Sequence, residues 1–369
     1  MTRVLLAPDK FKGSLGATAV AARLAAGLRS VGVEVDELPV ADGGDGTVEA
    51  ALAAGMREVA LTATGPLGEP VRTRYAFDGE TAVVEMAAVT GLEMLRPDAT
   101  TARRATSRGL GEVLVNALEG GARTVVIGVG GSASTDGGAG MLAALGATLS
   151  GPDGALPDGG DALRRLASVG LDGLHRRLGE VDLVLASDVD NPLLGPHGAA
   201  AVYGPQKGAD AAALADLEEG LACWVDLLER VRPGARDLAG SPGAGAAGGV
   251  GYGCLLLGAR FRPGVEVVLE LAGFERRLAG VDLVVTGEGS LDEQSLHGKA
   301  PVGVARAAAA HGVPAVAVCG RSTLDPRRAR EAGFRSVHAL ADLEPDVERS
   351  MARAGELLEE LGTRLAATL

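Results

Sequence analysis

Short runs of β-branched residues and leucine recur along the chain, each ending in a polar, glycine-rich segment and followed by an alanine- and leucine-rich stretch. That alternation marks βα units, because a strand buried on both faces reads as a continuous apolar run while its covering helix shows a 3.6-residue period. Strands are predicted at 4–7, 33–40, 124–129, 181–186, 281–286, 314–319 and 336–340, and helices at 17–28, 47–54, 108–119, 140–145, 209–228, 302–311 and 347–367. The order implies a largely parallel, doubly wound sheet. One region breaks it: between residues 57 and 92 the runs EVALTAT, VRTRYAF and TAVVEMA are separated by Gly-Pro-Leu-Gly and Asp-Gly turns with no helix between them. This is the pattern of antiparallel strands, and it marks a second domain or an insertion. The return to βα units at the C-terminus allows the first domain to be discontinuous.

Composition bounds this picture. At 369 residues two domains are expected, and 47% hydrophobic content with 56 glycines and 2% aromatics describes a packed Ala/Val/Leu fold with many tight turns. Charge narrows the partners: 35 basic against 48 acidic residues give −13, the wrong sign for a nucleic-acid binder, and so few aromatics offer no stacking platform. Small anions remain accessible, because lysines and backbone N–H groups can capture one locally. Cys223, Cys254 and Cys319 are scattered and lack metal-ligand spacing, which suits a reducing cytoplasm. The apolar run at 4–7 is too short for a signal peptide, and the uncharged stretch at 238–259 contains eight glycines and Pro242, so it is read as loop and helix. Neither a membrane nor a nucleic-acid partner is expected.

In a parallel α/β protein the ligand sits outside the carboxyl ends of the strands, so the segments after each strand carry the candidate chemistry. After the first, Asp9, Lys10, Lys12 and Ser14 precede a helix, with Ser14 as the expected cap and two ammonium groups near one point, suited to phosphate or carboxylate. After the second, Asp42-Gly43-Gly44-Asp45-Gly46 lets backbone approach a ligand while Asp42 or Asp45 accepts from a hydroxyl. The run from Gly128 to Gly140, with Gly130, Gly131, Ser132 and Ser134, reads as a phosphate cradle. No Gly-Lys-Ser/Thr closes it as in a Walker A loop, so its cation has to come from elsewhere, and Lys10, Lys12, Lys207 and Lys299 are the candidates. The match to GxGxxG at 243–248 follows Pro242 instead of a strand and is read as a turn. Two acidic loops, one with Asp188 and Asp190 and one with Glu288 and Asp292 ahead of Lys299, offer the oxygen ligands that Mg²⁺ takes. Taken singly, each loop is equally a capped helix start; together they supply phosphate, hydroxyl and metal recognition.

In combination these segments resemble the bacterial glycerate kinase family. The resemblance rests on APDKFKGSL at 7–15, PVADGGDGT at 39–47, TGPLG at 64–68, VEMAAVTGL at 84–92, GVGGSASTDGGAGML at 128–142, SDVDNPLLGPHGAAAVYGPQKGA at 187–209, GAGAAGG at 243–249 and TGEGSLDEQSLHGKAPVGVA at 286–305. It implies ATP-dependent phosphorylation of D-glycerate, usually at the 2-hydroxyl, by a flavodoxin-like domain with a restriction-endonuclease-like domain inserted. The first is expected at 1–60 and 286–369, the second at 61–285. Asp42, Asp188 and Lys12 are then expected to be catalytic. Substrate and phosphate are assigned to Asp9, Lys10, Ser14, Gly43, Gly44, Gly130, Gly131, Ser132, Ser134, Glu288 and Lys299, and Mg²⁺ to Asp188 and Asp190. Closure of the two domains on ATP and glycerate is expected, in a cytoplasmic monomer or homodimer. The alternatives are phosphorylation at the 3-hydroxyl, a nucleotide- or anion-binding protein without turnover, and, more weakly, a nicotinamide-dependent dehydrogenase, which would need the 243–248 glycines to follow a strand.

Overall fold

The computed structural model describes residues 2–296 and 298–367, and the chain divides into two compact units. Along the chain the strands among these residues are β1 (Arg3–Pro8), β2 (Glu34–Glu37), β3 (Arg57–Thr64), β4 (Pro70–Phe77), β5 (Thr81–Glu85), β6 (Thr124–Gly128), β7 (Thr148–Gly151), β8 (Gly154–Ala155), β9 (Ser168–Gly170), β10 (Asp182–Ala186), β11 (Arg260–Arg262), β12 (Leu283–Leu291), β13 (Ala315–Ser322) and β14 (Phe334–Ala339).

The first unit holds the residues up to Asp42, Glu49–Gly55, and those from Pro263 on. Its sheet, β14-β13-β12-β1-β2, is parallel throughout. Within the unit this is the order 5-4-3-1-2, the flavodoxin-like arrangement with its switch point beside β1. Both faces are buried, which is why the strands read as unbroken apolar runs. Val4, Leu6, Leu283 and Val285 face the helices Ala17–Arg29 and Ala354–Ala366, while Leu5, Ala7 and Val284 face the helices Gly264–Leu271 and Ala300–Ala310. The first pair of helices crosses at glycines: a Cβ on Gly27 would lie 2.1 Å from Glu359 O.

The second unit holds Gly43–Val48 and Met56–Arg262. Its sheet runs β11-β10-β6-β5-β4-β3, parallel from β11 to β5 and antiparallel from β5 to β3. The three strand runs of the 57–92 region are thus one end of a mixed sheet, with no helix between them and the short helix Ala87–Thr90 after the last. A small sheet, β8-β7-β9, had no counterpart in the apolar pattern, since its strands are two to four residues long and largely unburied. Trp224, on the helix Ala211–Val231, is fully buried in this unit's core.

The divisions expected at 60/61 and 285/286 fall elsewhere. Residues 263–285 group with the parallel sheet because Val265, Val268, Leu269 and Phe274 fill its core. Residues 43–48 and 56–60 group with the second unit, where β3 pairs with β4. The helix expected at 347–367 is two, Val347–Ala352 and Ala354–Ala366.

Candidate active site

In the first unit, β1 ends at Pro8 and delivers Asp9 beside β12, which carries Glu288. The Asp9 N–H donates to Gly287 O at 2.8 Å and the Thr286 hydroxyl to Ala7 O at 2.7 Å, so the two strand ends are locked together. Asp9 and Glu288 are each only 8% exposed. Burial first, then the charges of Asp42 and Glu288, push the Asp9 carboxyl up to about 8, against the N–H of Lys10 that donates to it at 2.6 Å. Burial also raises Glu288, tempered by the Ser295 hydroxyl and by Lys299, whose Nζ lies 3.4 Å from Oε2. Glu288 Oε1 is buried with no hydrogen-bond partner among the described residues. The structure therefore gathers Asp9, Asp42, Glu288 and Lys299 at the carboxyl edge of one sheet.

Ser14 departs from its expected role. Gly16 precedes the helix Ala17–Arg29 without a side-chain cap, and the Ser14 hydroxyl instead donates to Met351 O at 3.0 Å. A turn closed by Phe11 and Leu15 inserts two extra residues between Ser14 and the helix. Lys12 stands exposed on this turn, and Lys10 half-buried next to Asp9.

In the second unit two glycine loops lie back to back. A Cβ on Gly128 would sit 2.8 Å from Gly43 O, and one on Gly130 would sit 2.5 Å from Gly44 Cα, so only glycine permits this approach. Gly43 and Gly44 thus shape the loop 128–131 as well as their own turn. Glu85, at the end of β5, accepts from the N–H groups of Gly46 and Val48 at 3.1 and 3.0 Å and so caps the helix Thr47–Ala53. In the long loop, Gly131 O accepts from Leu92 N–H and Thr90 O from Ala133 N–H, while the N–H groups of Gly130, Gly131 and Ser132 have no acceptor among the described residues. Three consecutive unspent donors at the end of a strand can receive an anion. Behind them Asp136, fully buried, accepts from Ser107 N–H and Oγ–H and from the N–H groups of Gly138 and Gly140, fixing the loop to the helix Ala139–Ala144. Trp224 Nε1–H donates to Gly137 O at 3.0 Å.

Of the candidate cations, Lys207 is bonded to this loop: its Nζ donates to Ser132 Oγ at 2.9 Å and Ser134 O at 2.5 Å. The GxGxxG segment has a packing role. A Cβ on Gly248 would fall 2.0 Å from Ser134 O, and Gly137 N–H donates to Gly248 O, so these glycines lie against the loop's underside, preceded by the helix Ala235–Ala239 and not by a strand. Asp188 and Asp190 follow β10, the first half-buried and the second exposed. Among the described residues no three His, Cys, Asp or Glu side chains are placed to hold a metal. A donor set of one or two carboxylates still fits Mg²⁺, which completes its shell with water and phosphate oxygens. Sequence reasoning missed Glu85, whose partners lie 37 and 39 residues away, and Asp136, which ties its own loop to Ser107, 29 residues away, and such distant partners leave no local pattern.

A model of the glycerate kinase family matches residues 4–369. The chain is 42% identical to a glycerate kinase of Bacillus subtilis (strain 168), covering 100% of this chain and 97% of that protein. It is 38% identical to a glycerate 2-kinase of Escherichia coli (strain K12), covering 100% and 98%. A crystal structure described as glycerate kinase 2 from Salmonella typhimurium LT2 matches it with a TM-score of 0.81 at 38% identity, over 100% of this chain and 98% of the other.

Proposed function

Because the chain belongs to the glycerate kinase family, we infer that it transfers the γ-phosphoryl group of ATP to D-glycerate at the 2-hydroxyl. The observation that carries the choice of hydroxyl is the full-length similarity to a protein named as a glycerate 2-kinase. The nest at Gly130–Ser132 suits the polyphosphate, since unspent backbone donors and a cation behind them stabilise charge without reorganising. The carboxylates of the first unit suit the acceptor: Asp42 takes the proton as the hydroxyl oxygen bonds to phosphorus and the bond to ADP breaks. Asp9 and Glu288 hold the hydroxyl in line, and Lys10, Lys12 and Lys299 bind the glycerate carboxylate. Asp188, with Asp190, would hold Mg²⁺, which would supply charge neutralisation to the phosphate oxygens. The separate thiols of the three cysteines favour a reducing cytoplasm.

The test is to mix the protein with Mg²⁺, ATP and D-glycerate, follow ADP, and identify the product by phosphorus NMR. ADP that forms only with glycerate, together with 2-phosphoglycerate, is expected. ADP formed at the same rate without glycerate would overturn the kinase reading, and 3-phosphoglycerate would overturn the choice of hydroxyl.

A further inference from the structure

Of the 35 basic residues only four are lysines, Lys10, Lys12, Lys207 and Lys299, and every other one is arginine. A chain that uses arginine almost everywhere keeps lysine where a compact ammonium serves better than a planar fork. Lys10, Lys12 and Lys299 flank the carboxylates of the first unit. Lys207 stands apart: it closes a short helical turn, Pro205–Lys207, in the second unit and is 2% exposed.

A buried ammonium is costly unless paired, yet Lys207 meets one hydroxyl and one carbonyl, with no ion-pair partner among the described residues. The charge bearing on it is Asp136, whose carboxylate is occupied by its four donors. On the neighbouring elements Arg103 turns to Asp216, and Tyr203 donates to Asn191. Burial lowers the Lys207 ammonium to about 7. Beside it, Ser134 Oγ and Thr135 Oγ1 are buried with no hydrogen-bond partner among the described residues. The loop thus holds an excess of donors: three N–H groups, two hydroxyls and an ammonium. What it lacks is an acceptor with several oxygens and a negative charge.

We propose that Lys207 is the positioning residue of the phosphate loop: by holding Ser132 Oγ and Ser134 O it keeps the N–H groups of Gly130–Ser132 aimed at the nucleotide polyphosphate, and its charge is completed by that anion. This rests on the nucleotide reading given above. An anion bound in the loop favours the charged ammonium, so nucleotide binding and protonation of Lys207 are linked.

Lysine labelled at Cε gives four NMR signals in this chain, and all four can be followed through pH in the presence and absence of Mg²⁺ and a non-hydrolysable ATP analogue. One signal should titrate near 7 and move up by at least about one pH unit when the analogue saturates the protein. Lys207→Met should remove that signal and raise the KM for ATP about ten- to a hundredfold, with the KM for glycerate little changed and the melting temperature no lower, because a buried charge has been removed. Should the variant not fold, Lys10→Arg, Lys12→Arg and Lys299→Arg identify the remaining signal by elimination. A midpoint unmoved by an analogue that does bind would overturn the proposal, as would a variant with unchanged KM for ATP. An analogue that fails to bind the unaltered protein would overturn the nucleotide reading itself.

Discussion

A carboxyl group that is 8% exposed and faces two further carboxylates keeps its proton past neutral pH, and Asp9 is in that position. Its native midpoint of about 8 lies above the value of 3.8 for an unhindered carboxyl, so between these the folded state binds more protons than the unfolded one. Stability from this group is therefore full below about pH 4 and lost as pH rises toward 8. Asp9→Asn should flatten the fall in melting temperature between pH 5 and pH 8.5, and a variant that follows the parent curve would refute the assignment. Lys12, by contrast, is exposed, so Lys12→Ala should lower kcat/KM at least about tenfold without shifting the melting temperature. A concerted loss of both would give it a structural role. For the metal, Asp188→Asn should raise the Mg²⁺ concentration for half-maximal activity sharply and Asp190→Asn less so, since Asp190 is the more exposed. Magnesium titrations that superimpose on the parent would remove both from the metal site.

The glycine-rich segments at 43–46, 128–140 and 243–249 form one packed body in which backbone meets backbone without intervening side chains. Gly248 adopts φ 67° with no room for a Cβ against Ser134 O, so Gly248→Ala combines backbone strain with overpacking. A destabilisation of about 1–3 kcal/mol is expected from overpacking alone, with a rise in the KM for ATP. Unchanged thermal unfolding would show that the loops do not brace each other. The contact also explains what was legible in the sequence. Strands buried on both faces, such as β1, β6, β10, β12 and β13, announce themselves as apolar runs, and the 108–119 helix matches Arg108–Glu119 as found. The loops themselves were visible as glycine clusters, but not what they touch. Lys207 is 75 residues from Ser132, and Gly248 more than 100 from Ser134. Glycine frequency cannot distinguish a ligand-facing turn from a backbone-packing one, and for that reason 243–248 resembled a dinucleotide fingerprint.

At the scale of the molecule, the boundary displaced from 285 to 262 carries the same lesson. The helix Gly264–Leu271 has an apolar face either domain could bury, and only the tertiary structure shows that it covers the parallel sheet. The placement of the aromatic residues has a spectroscopic consequence. Trp224 and all three tyrosines, Tyr75, Tyr203 and Tyr252, belong to the second unit, so light absorbed at 280 nm reports on that unit alone. Far-ultraviolet dichroism sees both. In urea the two signals should lose their native values at different denaturant concentrations wherever the units unfold separately, and an ATP analogue should move the fluorescence midpoint more than glycerate does. Because the indole N–H is bonded to Gly137 O inside the 128–140 loop, Trp224 is also an internal reporter: its emission should follow changes in that loop in the unlabelled protein, during turnover.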